Sequence, residues 1–326
     1  QAGLGQTAPI LGAVNVTGAL ASPELSLKLG QAANPLLDQW SFLSRWSTED
    51  SALVLDRFTS PVLRAEARLP LQLAQGRLQV GELQSGFELK PLNLSRFTPL
   101  IGMPLGGQVS ARGRVNGPLS ALQPDISLML DQPRFGALQV PERWTGRLNG
   151  ELGRGARLAM AAQQPTVPGT LEAVLNPDAW PQTVRLERGE GQLRLDGLAP
   201  GGDQRRYRWR AADLNIDGLR FIIPPANQPK AVAGQLTGAG RLAMGPLAIR
   251  GSASIAEPSL AGVAMQSVEV EGVLTDGRFQ ADAALTPLQG SIRLKARGHL
   301  GRRMYSSIKA EGLDVTWLTL LARQLR

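Results

Sequence analysis

From Ser291 to Leu300 the chain alternates without a break. Ile292, Leu294, Ala296, Gly298 and Leu300 take the even positions, and Ser291, Arg293, Lys295, Arg297 and His299 take the odd ones. Successive side chains of an extended strand point to opposite faces, so such a segment has one hydrocarbon face and one polar, mainly cationic face. Residues of this kind do not make or break bonds. Their chemistry is the shielding of hydrocarbon from water, at about 0.8 kcal/mol for each methylene covered.

The same split separates Leu63, Ala65, Ala67 and Leu69 from Arg64, Glu66 and Arg68, and Val109, Ala111, Gly113 and Val115 from Gln108, Ser110, Arg112 and Arg114. It returns at Ile126, Leu128 and Leu130, at Ile249, Gly251, Ala253 and Ile255, and at Phe279, Ala281, Ala283 and Leu285. The candidate lining of an apolar groove is therefore Val109, Ala111, Val115, Ile126, Leu128, Leu130, Leu236, Leu242, Ile249, Ile255, Phe279, Leu285, Ile292, Leu294 and Leu300.

Catalytic groups are sparse. His299 is the only histidine, it falls on the polar face, and no carboxylate pair or nucleophile stands near it in sequence. With no cysteine there is no disulfide, zinc–thiolate site or thiol nucleophile. No P-loop, nucleophile elbow or His-Glu-x-x-His stretch occurs, and Gly153-Arg154-Gly155 is too short to cradle phosphate. The expectation is a protein with no catalytic residues, no metal and no cofactor. Arg205-Arg206-Tyr207-Arg208-Trp209-Arg210 interleaves basic and aromatic residues, but alternation puts Arg206, Arg208 and Arg210 opposite Tyr207 and Trp209. One surface then cannot both stack bases and bind their phosphates, which argues against nucleic acid.

Many short strands are needed to carry these faces, and the composition fits them. In 326 residues, Gly 37 and Pro 23 punctuate a chain that is 43% hydrophobic but only 5% aromatic, which suits strands joined by turns and walls that are aliphatic. The fold class is all-β. A net charge of +8 suits contact with anionic phospholipid surfaces or nucleic acid. No run of 18 apolar residues is present. The chain opens at Gln1 and stops at Arg326 inside an apolar periodic stretch, and reads as an excised fragment.

Internal repetition organises the chain. Gly12-Ala13-Val14-Asn15-Val16-Thr17-Gly18, Gly107-Gln108-Val109-Ser110-Ala111-Arg112-Gly113 and Gly234-Gln235-Leu236-Thr237-Gly238-Ala239-Gly240 are three copies of one strand, each followed by a proline (Pro23, Pro118, Pro246). A second marker recurs as Leu92-Asn93-Leu94-Ser95, Leu214-Asn215-Ile216-Asp217 and Leu313-Asp314-Val315-Thr316. Ser95, Asp217 and Thr316 are read as N-caps of short helices or turns, and Trp317, Leu318, Leu321 and Leu325 have helical spacing. Another helix is expected at 35–46, with Asn34 as cap and Leu36, Trp40, Leu43 and Trp46 on one face. Three β units follow, 1–102, 103–226 and 227–326, stacked end to end.

A sheet with one apolar face must cover it with another sheet, with helices or with a ligand. A closed sandwich or barrel core is one solution. The many Gly and Ala on the apolar face favour the other, an elongated, antiparallel-rich sheet curled into an open apolar groove, with a few short helices.

The run Gly107 to Leu119 (GQVSARGRVNGPL), the strand opening Gln123-Pro124-Asp125-Ile126-Ser127-Leu128 and the stretch Leu138 to Gly146 (LQVPERWTG) resemble the TamB (AsmA-like) family, particularly its long cyanobacterial members and their chloroplast relatives. The resemblance is one of pattern and composition over nearly the whole chain. It implies a segment of an envelope-spanning β groove, anchored in the inner membrane, that lies in the periplasm or intermembrane space. Such a groove shields phospholipid acyl chains in transit and serves outer-membrane biogenesis. The implied partners are phospholipid acyl chains, an outer-membrane barrel-assembly protein and adjoining segments of the same long chain. Two other readings share these residues: a structural scaffold that templates outer-membrane strands by β-augmentation, and a secreted β-solenoid surface protein.

Overall fold

The structure, a computed structural model, describes residues 12–19, 22–29, 41–49, 51–74, 77–98, 104–151, 154–176, 180–198, 205–223, 228–244, 247–299 and 304–325. Strands follow one another along the chain: β1 (Gly12–Ala19), β2 (Ser22–Leu29), β3 (Ser41–Ser47), β4 (Ala52–Thr59), β5 (Leu63–Ala74), β6 (Arg77–Val80) and β7 (Gln84–Asn93). A 3-10 turn at Leu94–Phe97 leads to β8 (Leu105–Asn116), β9 (Gln123–Phe135), β10 (Leu138–Gln139), β11 (Arg143–Asn149), β12 (Ala156–Gln163), β13 (Gly169–Leu175), β14 (Pro181–Arg188), β15 (Gly191–Gly197) and β16 (Arg205–Asn215). Then come β17 (Arg220–Ile223), β18 (Gln228–Met244), β19 (Ala248–Leu260), β20 (Val263–Ala264), β21 (Ser267–Thr275), β22 (Arg278–Thr286), β23 (Ser291–His299), β24 (Met304–Glu311) and the α-helix α1 (Val315–Leu325). The all-β expectation holds.

Each long strand pairs antiparallel with the next long strand, so the sheet is a meander. Pairing also crosses between the three repeat units, through β7 with β8 and β16 with β18. The open groove is corrected at the centre of the sheet. There β9 pairs with β11 along Asp125–Asp131 and with β10 at Arg134 and Phe135, while β18 pairs with β16 along 235–244 and with β17 along 228–231. The two short strands pair with each other, Leu138 opposite Phe221 and Gln139 opposite Arg220. The strands β9, β11, β12, β13, β14, β15, β16, β18, β17 and β10 thus form a closed 10-strand barrel; β8 continues the sheet from β9 and β19 from β18, the two strands that flank the β10–β17 seam. The reason is geometric: β10 and β17 bring β9 and β18 together, which an alternation pattern within one strand cannot specify.

The expected helix at 35–46 is also corrected where it can be seen. Residues 34–40 lie outside the described residues, and Leu43 and Trp46 lie on β3, paired with β2 and β4. The stretch Ser41 to Ser47 reads with period two as well as with helical period, and the two neighbouring strands decide between them.

The three Leu-Asx markers are corners where strands end. At each, the side chain of the marker's second residue accepts a backbone N–H two residues on: Asn93 from Ser95 at 2.9 Å, Asn215 from Asp217 at 2.8 Å and Asp314 from Thr316 at 2.8 Å. The cap is thus Asn93, Asn215 or Asp314, two residues earlier than the Ser95, Asp217 and Thr316 expected, which are donors to it. Asx side chains favour this local bond because they are short enough to reach a backbone donor two residues away. The expected terminal helix is α1. Its Trp317 is buried with Val263 and Met265 and donates Nε1–H to the Ala264 carbonyl at 3.0 Å.

Candidate functional site

In register, the apolar residues of successive strands form rows that cross the sheet. One runs through Leu63, Leu89, Ala111, Leu128, Gly146 and Met160. It continues through Leu171, Leu186, Leu193 and Ala211, and then through Gly238, Ala253, Val270, Ala283, Leu294 and Ile308. With strands about 4.8 Å apart, this row is roughly 70 Å long measured along the sheet. A second row beside it carries Phe87, Gly113, Ile126, Leu148, Leu158 and Ala173, then Val184, Leu195, Trp209, Gly240, Gly251 and Ala281.

The residues expected to line a groove fall on this one face. Ala111, Leu128 and Leu294 sit in the first row and Ile126 in the second. Val109 and Leu130 are paired beyond the first row, on the same side as Leu236, Ile255, Leu285 and Ile292. Val115 opposite Pro124, and Leu242, Ile249 and Phe279, lie at the other margin. Leu300 lies outside the described residues. Two members are covered: Leu285 and Ile292 pack against the buried cluster under α1. Alternation alone could not place a helix over them.

Inside the barrel the face is not filled. Leu128, Leu171, Leu186, Leu193, Ile126 and Leu195 are half-buried, and so is Trp209. Among the described residues Leu92 and Pro287 are the largest fully enclosed side chains, and both stand at strand ends outside these rows. About eight strands close around an interior that side chains can just fill, and ten make a wider ring. The wall residues Leu148, Leu158, Leu171, Leu186, Leu193 and Leu195 escaped the candidate lining, although Val184-Arg185-Leu186 and Leu193-Arg194-Leu195 carry the same alternation as the stretches that were read.

Glycine makes the face flat enough for a ring to lie on it. Trp209 spreads over Gly240 and Gly251: a β-carbon at Gly251 would lie 2.5 Å from the indole ring, and one at Gly240 2.6 Å from its Nε1. Tyr207 is buried beside it, and that burial raises its phenol above its ordinary value against the opposing pull of Arg205. Arg206, Arg208 and Arg210 are exposed on the other face, as alternation requires.

The outer face is polar along its length. Arg293, Lys295 and Arg297 are exposed, and cross-strand ion pairs such as Arg147 to Asp125 at 2.7 Å and Arg143 to Asp131 at 3.2 Å decorate it. The Arg147 hydrogen bond holds the Asp125 carboxyl below its ordinary value.

One end of the barrel carries charge inside. Arg188 ends β14, which stands across the ring from β10, and its Nη2 donates to Glu142 Oε1 at 2.8 Å and to the Asp217 carbonyl at 2.7 Å. The two side chains are 3% and 5% exposed. Beside them Trp144 lies against Gly169, where a β-carbon would sit 2.9 Å from the indole. The pair was missed in the sequence although a signal exists: Arg188 follows Val184 and Leu186, and Glu142 precedes Trp144, at positions whose parity is apolar.

No protein family, curated protein or solved structure matches the chain. Among the described residues no helix is long and apolar enough to cross a membrane.

Proposed function

We propose that the apolar face is a path for hydrocarbon: lipid acyl chains lie along its rows, within the barrel and on the sheet that extends from it, and slide from one end to the other. The observation that carries this reading is the pairing of aliphatic rows in register across strand after strand with side chains that remain half-buried. Each acyl methylene kept from water along such a path saves about 0.8 kcal/mol, so a continuous wall lowers the barrier to transfer without any specific headgroup contact. The likeness of GQVSARGRVNGPL and its companion stretches to the TamB family supports placing the path in an envelope bridge between inner and outer membranes, serving outer-membrane biogenesis beside a barrel-assembly partner. In this reading the chain is a conduit and performs no bond chemistry.

The test is to load the purified chain from phosphatidylethanolamine/phosphatidylglycerol vesicles that carry a diazirine in the acyl chain, and to map the crosslinks. Crosslinks to Leu128, Leu171 or Leu193, lost in Leu128→Asp while the melting temperature falls little, support the path. Leu128→Asp unfolding the protein would show a dry core, and labelling confined to the Arg face would refute the reading.

A further inference from the structure

Arg188 brings more hydrogen-bonding capacity into the barrel than the wall uses. Its Nη2 is taken by Glu142 and the Asp217 carbonyl, but Nε and Nη1 have no partner among the described residues, and neither have Trp144 Nε1 and Glu142 Oε2. The three side chains share one place. Arg188 pairs with Gly169 on β13 and with Gly191 on β15, and the Trp144 indole lies over Gly169. None of the three residues is more than 7% exposed. Buried polar groups ordinarily find partners, because an unmatched one has given up its hydration for nothing, so four unmatched atoms in one spot point to a bound molecule.

The outside of this end is shut. Val167, Ile216 and Leu219 are buried on the turns around it; a β-carbon at Gly189 would lie 3.5 Å from Val167 and one at Gly218 3.2 Å from Thr166, so the turns meet. The inner side is hydrocarbon. Leu186, two residues before Arg188 on β14, stands opposite Leu171 and Leu193, and all three are half-buried. From Arg188 back to Pro181 the strand offers roughly 23 Å of wall.

We propose that this end of the barrel holds the head of an uncharged single-chain lipid, a head with carbonyl oxygen beside a hydroxyl, and that the tail lies along the wall at Leu186. The atoms match. Arg188 Nε and Nη1 and Trp144 Nε1 donate to oxygens of the head, and its hydroxyl donates to Glu142 Oε2. Charge decides against an anionic head: Glu142 already neutralises Arg188, and a second negative charge in a site closed to water would have no counterion. A monoacylglycerol has this head, and so does a fatty acid in its protonated form. The inference rests on the barrel interior being a place for hydrocarbon and adds what fixes one molecule there.

The full chain is titrated with monopalmitoylglycerol, palmitate and hexadecane delivered from cyclodextrin, with native mass spectrometry for stoichiometry and calorimetry for affinity. One tightly held glyceride per chain is expected, bound about tenfold or more above hexadecane. Trp144→Phe keeps a ring over Gly169 and removes its donor, and should weaken the glyceride about fivefold. Arg188→Met with Glu142→Leu removes the remaining groups without leaving a buried charge, and should bring the glyceride down to the affinity of hexadecane, itself unchanged. Palmitate held better than the glyceride, with the same losses in both variants, would make the fatty acid the occupant of this head site. Glyceride and palmitate bound no better than hexadecane, or unmoved by either variant, would overturn the head site and leave the hydrocarbon path standing; binding of none of the three would remove both.

Discussion

Arg188 reaches across the end of the barrel to Glu142, 2.8 Å from Nη2 to Oε1, and the same nitrogen also donates to the Asp217 carbonyl at 2.7 Å. Glu142 stands just after β10 and Asp217 just before β17, so one guanidinium on the far wall holds the roots of both strands that close the ring.

Removing one partner of a buried pair strands the other charge. Arg188→Met is expected to lower stability by about 3–5 kcal/mol, and Arg188→Met combined with Glu142→Leu to recover most of that loss. Urea unfolding midpoints measure both. Amide exchange at Ile222, whose N–H donates to the Ala137 carbonyl at 2.8 Å in the seam, should quicken in the single variant. A double variant as unstable as the single one would show that the pair is not what the barrel end depends on.

Trp209 needs the two glycines beneath it. Gly251→Val places methyl groups where the indole lies, so the ring must leave the row or the strands must part, at about 1–3 kcal/mol. Thermal unfolding gives the cost. Tryptophan emission gives the displacement and should move to longer wavelength; unchanged emission and stability would contradict the packing.

The corners are expected to be equivalent in energy. Asn93→Ala, Asn215→Ala and Asp314→Ala each remove one side-chain acceptor of a backbone N–H, and each should cost about 1 kcal/mol. Asp314→Asn, which keeps the acceptor, should cost much less. Helix content by circular dichroism falls only in Asp314→Ala, because only that corner begins α1.

Two groups are expected to contribute to the response to pH. Tyr207 is raised above 10.0 by burial, so its neutral form belongs to the folded state; stability is untouched below pH 10 and falls as pH rises beyond it. Absorbance titration of Tyr305→Phe isolates the phenol and should show it ionising later than free tyrosine. Asp125 is depressed below 3.8 by Arg147, so its contribution is present above that value and is lost as pH falls through the lower, folded-state value. A carboxyl NMR titration that places Asp125 at or above 3.8 would contradict the bidentate pair.

Most strand faces and the corner positions are legible locally along the chain. Ile126, Leu128 and Leu130, or Ile249 and Ile255, announce which side of a strand is apolar because side-chain direction alternates residue by residue, and the Leu-Asx markers announce the corners, although the capping side chains are Asn93, Asn215 and Asp314 and not the Ser95, Asp217 and Thr316 expected. The same local reading misplaced a helix over Leu43 and Trp46, where two periods fit and the neighbouring strands chose. It also left Leu285 and Ile292 open, where α1 covers them. Closure of the sheet is a long-range property. Leu138 meets Phe221, and Arg188 meets Glu142, through a ring of pairings in which each strand constrains only its immediate neighbours. Closure depends on the accumulated curvature of all ten strands, and no short stretch of sequence records that sum.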